Sequence, residues 1–438
     1  MRNKSKKGIL VDIILCLIML FLLHPFYVKQ LYYIITVVYI LAPSLYGVYV
    51  LIKNGYKLDK QVSVFIVLYL VHFSMAFMAY IINFSDDMKY IMELFKNFVK
   101  ILSFSMFTVW VGTLYKKGKC SLIYPKIFLL GVCLYVISTL FFLTFPKFKN
   151  PWIDIIGINS AIKGYSWVQA YATRFSIAGW SSFHGSYFAG FSIICLMWSY
   201  SEKIIKGKFF LIAFVMNSLA CIFYGRFGIM MEIIILGLYI LLSLNVKVIQ
   251  RLIIIVPILI TFAIVVISVI PENEISSQVI RWMTEPIQFI LSGDKNSSAS
   301  LSELSDMYSM TVFSTRDLLI GNGRWINRDG SYYGHIDVGF LRNIYYGGLF
   351  YTIALYAMMI YYIYLIAREI SIKRSHISLW FVLLLVYFLF GEAKGDTVFY
   401  FIKLSLPLGI FAKYYRRNLN NVSDNSNCCN IQFLENGD

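Results

Sequence analysis

The 438-residue chain predicts an all-α, polytopic integral membrane protein with about twelve transmembrane helices and one long external loop. Three observations carry that expectation. The chain is 59% hydrophobic and only 14% charged, with a mean hydropathy of +0.69, far from the mix of a soluble domain. Apolar runs recur along nearly the whole sequence at roughly 20 residues each, the length that crosses a bilayer core about 30 Å thick. Short basic segments fall at every second connection between those runs. Inside lipid the backbone must satisfy its own hydrogen bonds, so the runs are read as helices.

Spans are expected near 8–23, 31–52, 62–82, 98–115, 122–145, 183–200, 209–224, 229–244, 252–270, 344–366, 377–390 and 397–412. The first follows MRNKSKK, which resembles the n-region of a signal peptide. No small-residue cleavage site follows in FLLHPFYV, so the run is kept as a span. The runs after Phe209 and Ile377 are short for spans and fit re-entrant or less tilted helices. Spans one to nine, with an external loop at 146–182, occupy 1–270; a long external loop fills 271–343; three more spans fill 344–412; and 413–438 form a tail. No internal repeat of a transporter kind is visible. The seven cysteines are scattered over spans and tail, which suits neither a disulfide framework nor a metal site.

A net charge of +16 raises the question of nucleic acid. Its distribution answers it: 21 of the 39 Lys and Arg residues lie in MRNKSKK, KNGYKLDK, KKGK, EKIIKGK, NVKVIQR, REISIKR and KYYRR, the alternate connections. By the positive-inside rule those segments and both termini are cytoplasmic, so the charge is topology and not a nucleic-acid surface. The remaining connections, 24–30, 83–97, 146–182, 225–228, 271–343 and 391–396, are then external.

Seven arginines fall on that external side: Arg174, Arg226, Arg281, Arg316, Arg324, Arg328 and Arg342. Topology disfavours them there, so each asks for an anionic partner, and a phosphate matches the guanidinium fork. Arg174 leads a Gly- and Ser-rich stretch into the sixth span, where a helix start favours an anion; snorkelling to headgroups is the alternative. Arg226 stands in the tight hairpin FYGRFGIMME, with Glu232 or headgroups as plain partners. Arg324 and Arg328 fit loop ion pairs with Asp317 and Asp329, and GNGRW fits a turn with positive φ at Gly321 and Gly323. GEAKGD reads as a local Glu392–Lys394–Asp396 ion network. Asp86 and Asp87 form an acidic pair, while the first external loop, HPFYVKQ, holds no carboxylate, against a metal-dependent glycosyltransferase with acidic ligands in that loop.

His335, Asp337 and Arg342 gather in YYGHIDVGFLRNIYYGGLF, residues 332–350. A helix starting at His335 puts Arg342 on its face and Asp337 opposite. With Asp337 as the N-cap, His335 lies free before the helix. Either side chain beside an arginine-lined cavity can take a proton from a hydroxyl.

The pieces RFSIAGW, YGRFG, GNGRW, HIDVGF and YYGGLF together resemble the O-antigen polymerase (Wzy) family and, more distantly, the O-antigen ligases, over roughly 174–350. The resemblance implies a GT-C-like membrane glycosyltransferase that joins oligosaccharide repeat units carried on undecaprenyl diphosphate at the outer face of the bacterial inner membrane. It implies that Arg174 and Arg226, assisted by Arg342, hold the diphosphate, that His335 or Asp337 is the general base, and that a chain-length regulator and a flippase are partners. A diphosphate leaves as an anion, so no metal or other cofactor is demanded. Ligases carry His followed closely by Asn where this chain has GHIDVG, which favours polymerase. A flippase for the same lipid-linked sugar is the competing class.

Overall fold

A long helix that crosses a membrane must either bond every carbonyl internally or find an outside donor where it breaks. The computed structural model describes residues 6–23, 42–53, 60–116, 124–156, 174–177, 179–180, 183–243, 299–327, 331–371 and 376–426. It is a helix bundle, and six of its described helices are long and apolar enough to cross a membrane. The expected span at 252–270, Arg281, Arg328 and residues 292–298 of the Ser-rich stretch of the long loop lie outside the described residues.

The helices are α1 Lys6–Leu23, α2 Ala42–Lys53, α3 Lys60–Ile82, α4 Lys89–Lys116, α5 Tyr124–Thr144 and α6 Lys149–Ile156. A two-strand hairpin follows, β1 Phe175–Ser176 paired antiparallel with β2 Gly179–Trp180. Then come α7 Phe183–Ser201, α8 Gly207–Tyr224, α9 Arg226–Ser243, α10 Ala299–Met310, α11 Thr315–Ile320, α12 Gly339–Ile370, α13 Ile377–Lys394 and α14 Val398–Ser426. The six span candidates are α3, α4, α5, α8, α12 and α13. The chain is therefore an all-α membrane protein.

Five expected spans that fall on described helices, α1, α2, α7, α9 and α14, are not among those six, and burial sets α7 apart. Every residue from Gly185 to Ser199 is buried inside the protein, so α7 meets other helices and not lipid. Its serines bond locally or across: Ser199 Oγ donates to Cys195 O at 2.6 Å, and Ser192 to Asn217 of α8. Small and hydroxyl side chains of this kind let membrane helices approach closely. Glu232 of α9 is likewise buried and receives the Ser218 hydroxyl of α8.

The helix ends sort into two sets. At one end Trp198 Nε1 donates to Ile370 O at 2.8 Å, Tyr415 Oη to Glu202 O at 3.3 Å, and Arg416 Nη2 to Arg368 O at 3.2 Å. At the other end gather the α3–α4 turn, the β-hairpin, the α8–α9 turn, α11 and the start of α12.

The expected continuous span at 344–366 is broken. Gly348, inside α12, has φ 78° and ψ −177°, a region essentially open only to glycine. The break frees the carbonyls of Tyr345 and Tyr346, and the loop after α11 supplies their donors: Asn322 N to Tyr345 O at 2.7 Å and Gly323 N to Tyr346 O at 2.9 Å. Gly321 and Gly323 do have positive φ, 70° and 69°, as the turn reading expects. GNG and YYGG, 25 or so residues apart, thus form two halves of one joint.

An added Cβ at Gly348 would overlap the Leu319 carbonyl as well as strain the backbone. Gly348→Ala should cost about 2 kcal/mol or more, read as a lower thermal midpoint of the purified protein. Gly237→Ala, where a Cβ meets nothing within 4 Å, should leave the midpoint unchanged or raise it slightly.

Candidate functional site

Asp87 builds the site. Its Oδ1 accepts from Lys89 N at 3.0 Å, capping α4. Its Oδ2 accepts from Trp325 N at 2.8 Å and Ile326 N at 2.7 Å, so one buried carboxylate ties the long loop to the α3–α4 turn. Trp325 is thereby held against Tyr90 of α4, ring centroids 4.1 Å apart and nearly parallel. Tyr90 Oη lies 3.1 Å from Tyr351 Oη, which lies 2.6 Å from Nε2 of buried His72 in α3.

Arg342, in the first turn of α12, lies on the other side of Trp325. Its Cζ sits 3.8 Å from the Trp325 ring centroid and 3.9 Å from that of Tyr332. The residue is only 6% exposed, and its Nε and Nη2 are buried without a hydrogen-bond partner. Cation–π contact returns about 2 kcal/mol per ring when desolvated. Each unsatisfied buried N–H of a charged group forfeits about 1–3 kcal/mol. Rings cover both faces of the guanidinium, so its edge is the part left to bond, and the edge matches a planar pair of oxygens on a carboxylate or phosphate.

The α13–α14 turn closes the site from behind. Glu392 is fully buried, and its carboxylate accepts from Thr397 N at 2.6 Å, Thr397 Oγ1 at 2.8 Å and Tyr356 Oη at 2.6 Å. Tyr356 in turn accepts from Asn343 Nδ2 at 3.1 Å. These bonds order Glu392. A Cβ at Gly339 would overlap Glu392, so the start of α12 can lie against this turn only as glycine. Asp396, half-buried outside the spans, has its carboxyl pushed above the ordinary range by burial, while the charge of Arg342 and a bond from the Val398 amide pull it down.

The other sequence-derived residues fall in two places. Arg174 directly precedes β1, whose Phe175 packs on Phe142 at the end of α5. Next to it Ser176 and Thr139 reach the Tyr224 hydroxyl, one residue before the α8–α9 turn where Arg226 starts α9. Ser186 of α7 bonds that turn by accepting from Gly228 N at 2.8 Å. The segments of Arg174 and Arg226 are therefore neighbours, and Arg342 lies on the far flank of the α13–α14 turn; the Arg226 side chain lies outside the described residues. The turn bridges the two, because Gly391 and Gly395 pack against Tyr187 and Phe183 of α7.

His335 and Asp337 are both exposed. Tyr333–His335 is a 3₁₀ turn, with His335 at φ 56°, and α12 begins at Gly339 with Val338 as its N-cap. Neither the helix from His335 nor the Asp337 cap is formed. Among the described residues neither side chain makes a hydrogen bond or ion pair. Arg324 pairs with Asp86 at 3.2 Å instead of Asp317, which forms a capping box with Ser314. Among the described residues no three His, Cys, Asp or Glu side chains come together as a metal site.

Sequence reasoning noted Asp87 only as half of an acidic pair and Asp396 only as part of a local ion network, and it gave Trp325 and Tyr332 no role. Compared with protein-family models, curated proteins and solved structures, the chain matches none.

Asp87→Ala should lower the thermal midpoint in detergent, because three backbone amides lose a charged acceptor, at about 2 kcal/mol or more in total. Asp87→Asn, which keeps a carbonyl acceptor, should fall between. A midpoint equal to wild type for Asp87→Ala contradicts the clamp.

Proposed function

We propose that the chain is a membrane glycosyltransferase of the O-antigen polymerase kind, joining oligosaccharide repeat units carried on undecaprenyl diphosphate at the outer face of a bacterial inner membrane. The observation that carries this reading is Arg342: a buried cation with its faces covered by Trp325 and Tyr332 and its edge unbonded. A diphosphate offers the oxygens such an edge accepts. In a site of low dielectric, a fixed guanidinium stabilises the charge that develops on a departing diphosphate.

Two further points support it. The five segments that resemble the polymerase family meet at one end of the bundle, linked through the α13–α14 turn. The opposite end carries Arg368, Arg416 and their neighbours, as expected for a cytoplasmic face. In this reading Arg174 and Arg226 serve the same anion from the other flank of the turn. A twelve-span, GT-C-like arrangement with both termini in the cytoplasm, beside a flippase and a chain-length regulator, completes it.

The test is a deletion strain complemented with variants, read as a glycan ladder. Loss of the protein should leave single-repeat surface glycan; complete absence of surface glycan would indicate a flippase and overturn the reading. Arg342→Ala at normal membrane level should lower polymer by about 10–100-fold, the loss of one or two charge-assisted bonds. A wild-type ladder from Arg342→Ala would remove Arg342 from the site.

A further inference from the structure

We infer that the elbow after α5, together with α6, is a membrane-surface anchor: Phe145, Phe148 and Ile155 lie in the boundary between headgroups and acyl chains of the leaflet at the loop-rich end. Through α6 this anchor holds the Arg174 segment at the level of the lipid phosphates. The inference does not rest on the polymerase reading.

The length of α5 sets the level. Its 21 residues, Tyr124–Thr144, rise about 31 Å, against a bilayer core about 30 Å thick. The helix is one of the span candidates. Phe145 and the 3₁₀ turn Pro146–Phe148 follow it directly, so they lie where hydrocarbon gives way to headgroups. The Phe141 ring centroid is 5.3 Å from that of Phe145 and 5.6 Å from that of Phe148, which makes one aromatic cluster. Phe145 is nevertheless 50% exposed and Phe148 56%, so half of each residue is left for a partner outside the chain.

Helix α6 continues this surface with two unlike faces. Steps of 100° put Lys149, Trp152 and Ile153 on one side and Pro151 and Ile155 on the other. The first side belongs to the protein. Ile153 packs with Phe142 and Phe175 in a small core of its own. Lys149 Nζ lies 5.4 Å from the Phe175 ring centroid, and Trp152 Nε1 donates to Ile177 O at 2.8 Å. Ile177 N donates in turn to Ser138 Oγ of α5 at 3.0 Å. Phe175 and Ile177 are the first and third residues after Arg174, so α6 and the end of α5 together fix where that segment stands. The second side of α6 is open, with Pro151 and Ile155 both exposed.

Three observations name lipid as the occupant of the open side. The elbow stands at the end of a span whose length matches the bilayer core. Lys147 and Asp154 are exposed beside the apolar side chains; such charges stay among headgroups and water while neighbouring rings sink, and a lysine stem covers apolar surface as its ammonium reaches phosphate. Phe84, just beyond the end of α3, is 93% exposed at the same end of the bundle. Exposed phenylalanine at two separate span ends fits a membrane interface, which meets the whole girth of the bundle, better than a single protein partner.

The experiment uses the full-length protein in phosphatidylcholine nanodiscs, with Phe148→Trp as reporter and wild-type emission subtracted to remove the 8 native tryptophans. Bromine is carried either high on the acyl chains or near their ends, and acrylamide probes water. The added tryptophan should be quenched about twofold or more better by the high bromine than by the low one, as expected for a ring about 5–10 Å below the surface. Ile155→Trp, on the open side of α6, should behave alike, so the reading does not hang on one variant folding. Stronger quenching by the low bromine, or none at either depth, overturns the anchor; acrylamide then tells a ring in water from one covered by protein. For the hold on Arg174, the double variant Phe145→Ser, Phe148→Ser should speed amide exchange of residues 175–177, measured relative to α12, by about threefold or more. Exchange equal to wild type overturns that part.

Discussion

The guanidinium of Arg342, clamped between Trp325 and Tyr332, is a full positive charge taken out of water at one end of an apolar bundle. Such a group is tolerated only where surrounding structure holds it. Here the holding runs through Asp87, whose bonds to Trp325 and Ile326 fix the loop that carries one face of the clamp. Trp325 rests on Tyr90, and Tyr90 on the Tyr351–His72 pair, so the clamp is anchored in α3, α4 and α12 at once. Removing any one of these supports loosens the cation without touching it.

The break in α12 serves the same end. Because α12 stops being helical at Gly348, its first two turns are free to be set by the loop after α11 and by the α13–α14 turn. Arg342 and Asn343 sit on that short first half, and Glu392 orders it through Tyr356. A continuous helix would leave the direction of Arg342 to lipid-facing packing lower down. Broken helices with their ends at binding sites are a recurring solution where irregular backbone must be buried in a membrane protein.

Much of this was legible from residues alone. Hydropathy and the basic connections gave an all-α membrane protein, and the positive φ at Gly321 and Gly323 follows from the residue type. The segments of Arg174 and Arg226 are neighbours, while Arg342 stands on the far flank of the α13–α14 turn. What sequence could not supply is pairing between distant stretches. Asp87 and Trp325 are separated by 238 positions, and neither residue type predicts the other. Arg342 stood out in the sequence only as a neighbour of His335 and Asp337 and an assistant to Arg174 and Arg226; its two rings and unbonded edge were not legible. Conversely, His335 and Asp337 drew attention because polar residues near an apolar run are conspicuous, yet local backbone geometry left both exposed. Helix α7 was legible as an expected span at 183–200, but not that it would be enclosed by protein and so able to carry serines.

Taken together, the clamp, the broken helix and the buried turn describe a fixed cationic edge facing the loop-rich end of the bundle. The proposed function gives that edge the task of recognising an oxyanion, and the most direct measurement is equilibrium binding. Undecaprenyl diphosphate and neutral undecaprenol should be titrated onto wild type and Arg342→Ala in nanodiscs. The account predicts that wild type binds the diphosphate more tightly than the alcohol and that Arg342→Ala loses about tenfold or more of that preference. Equal preference in the two proteins would contradict it.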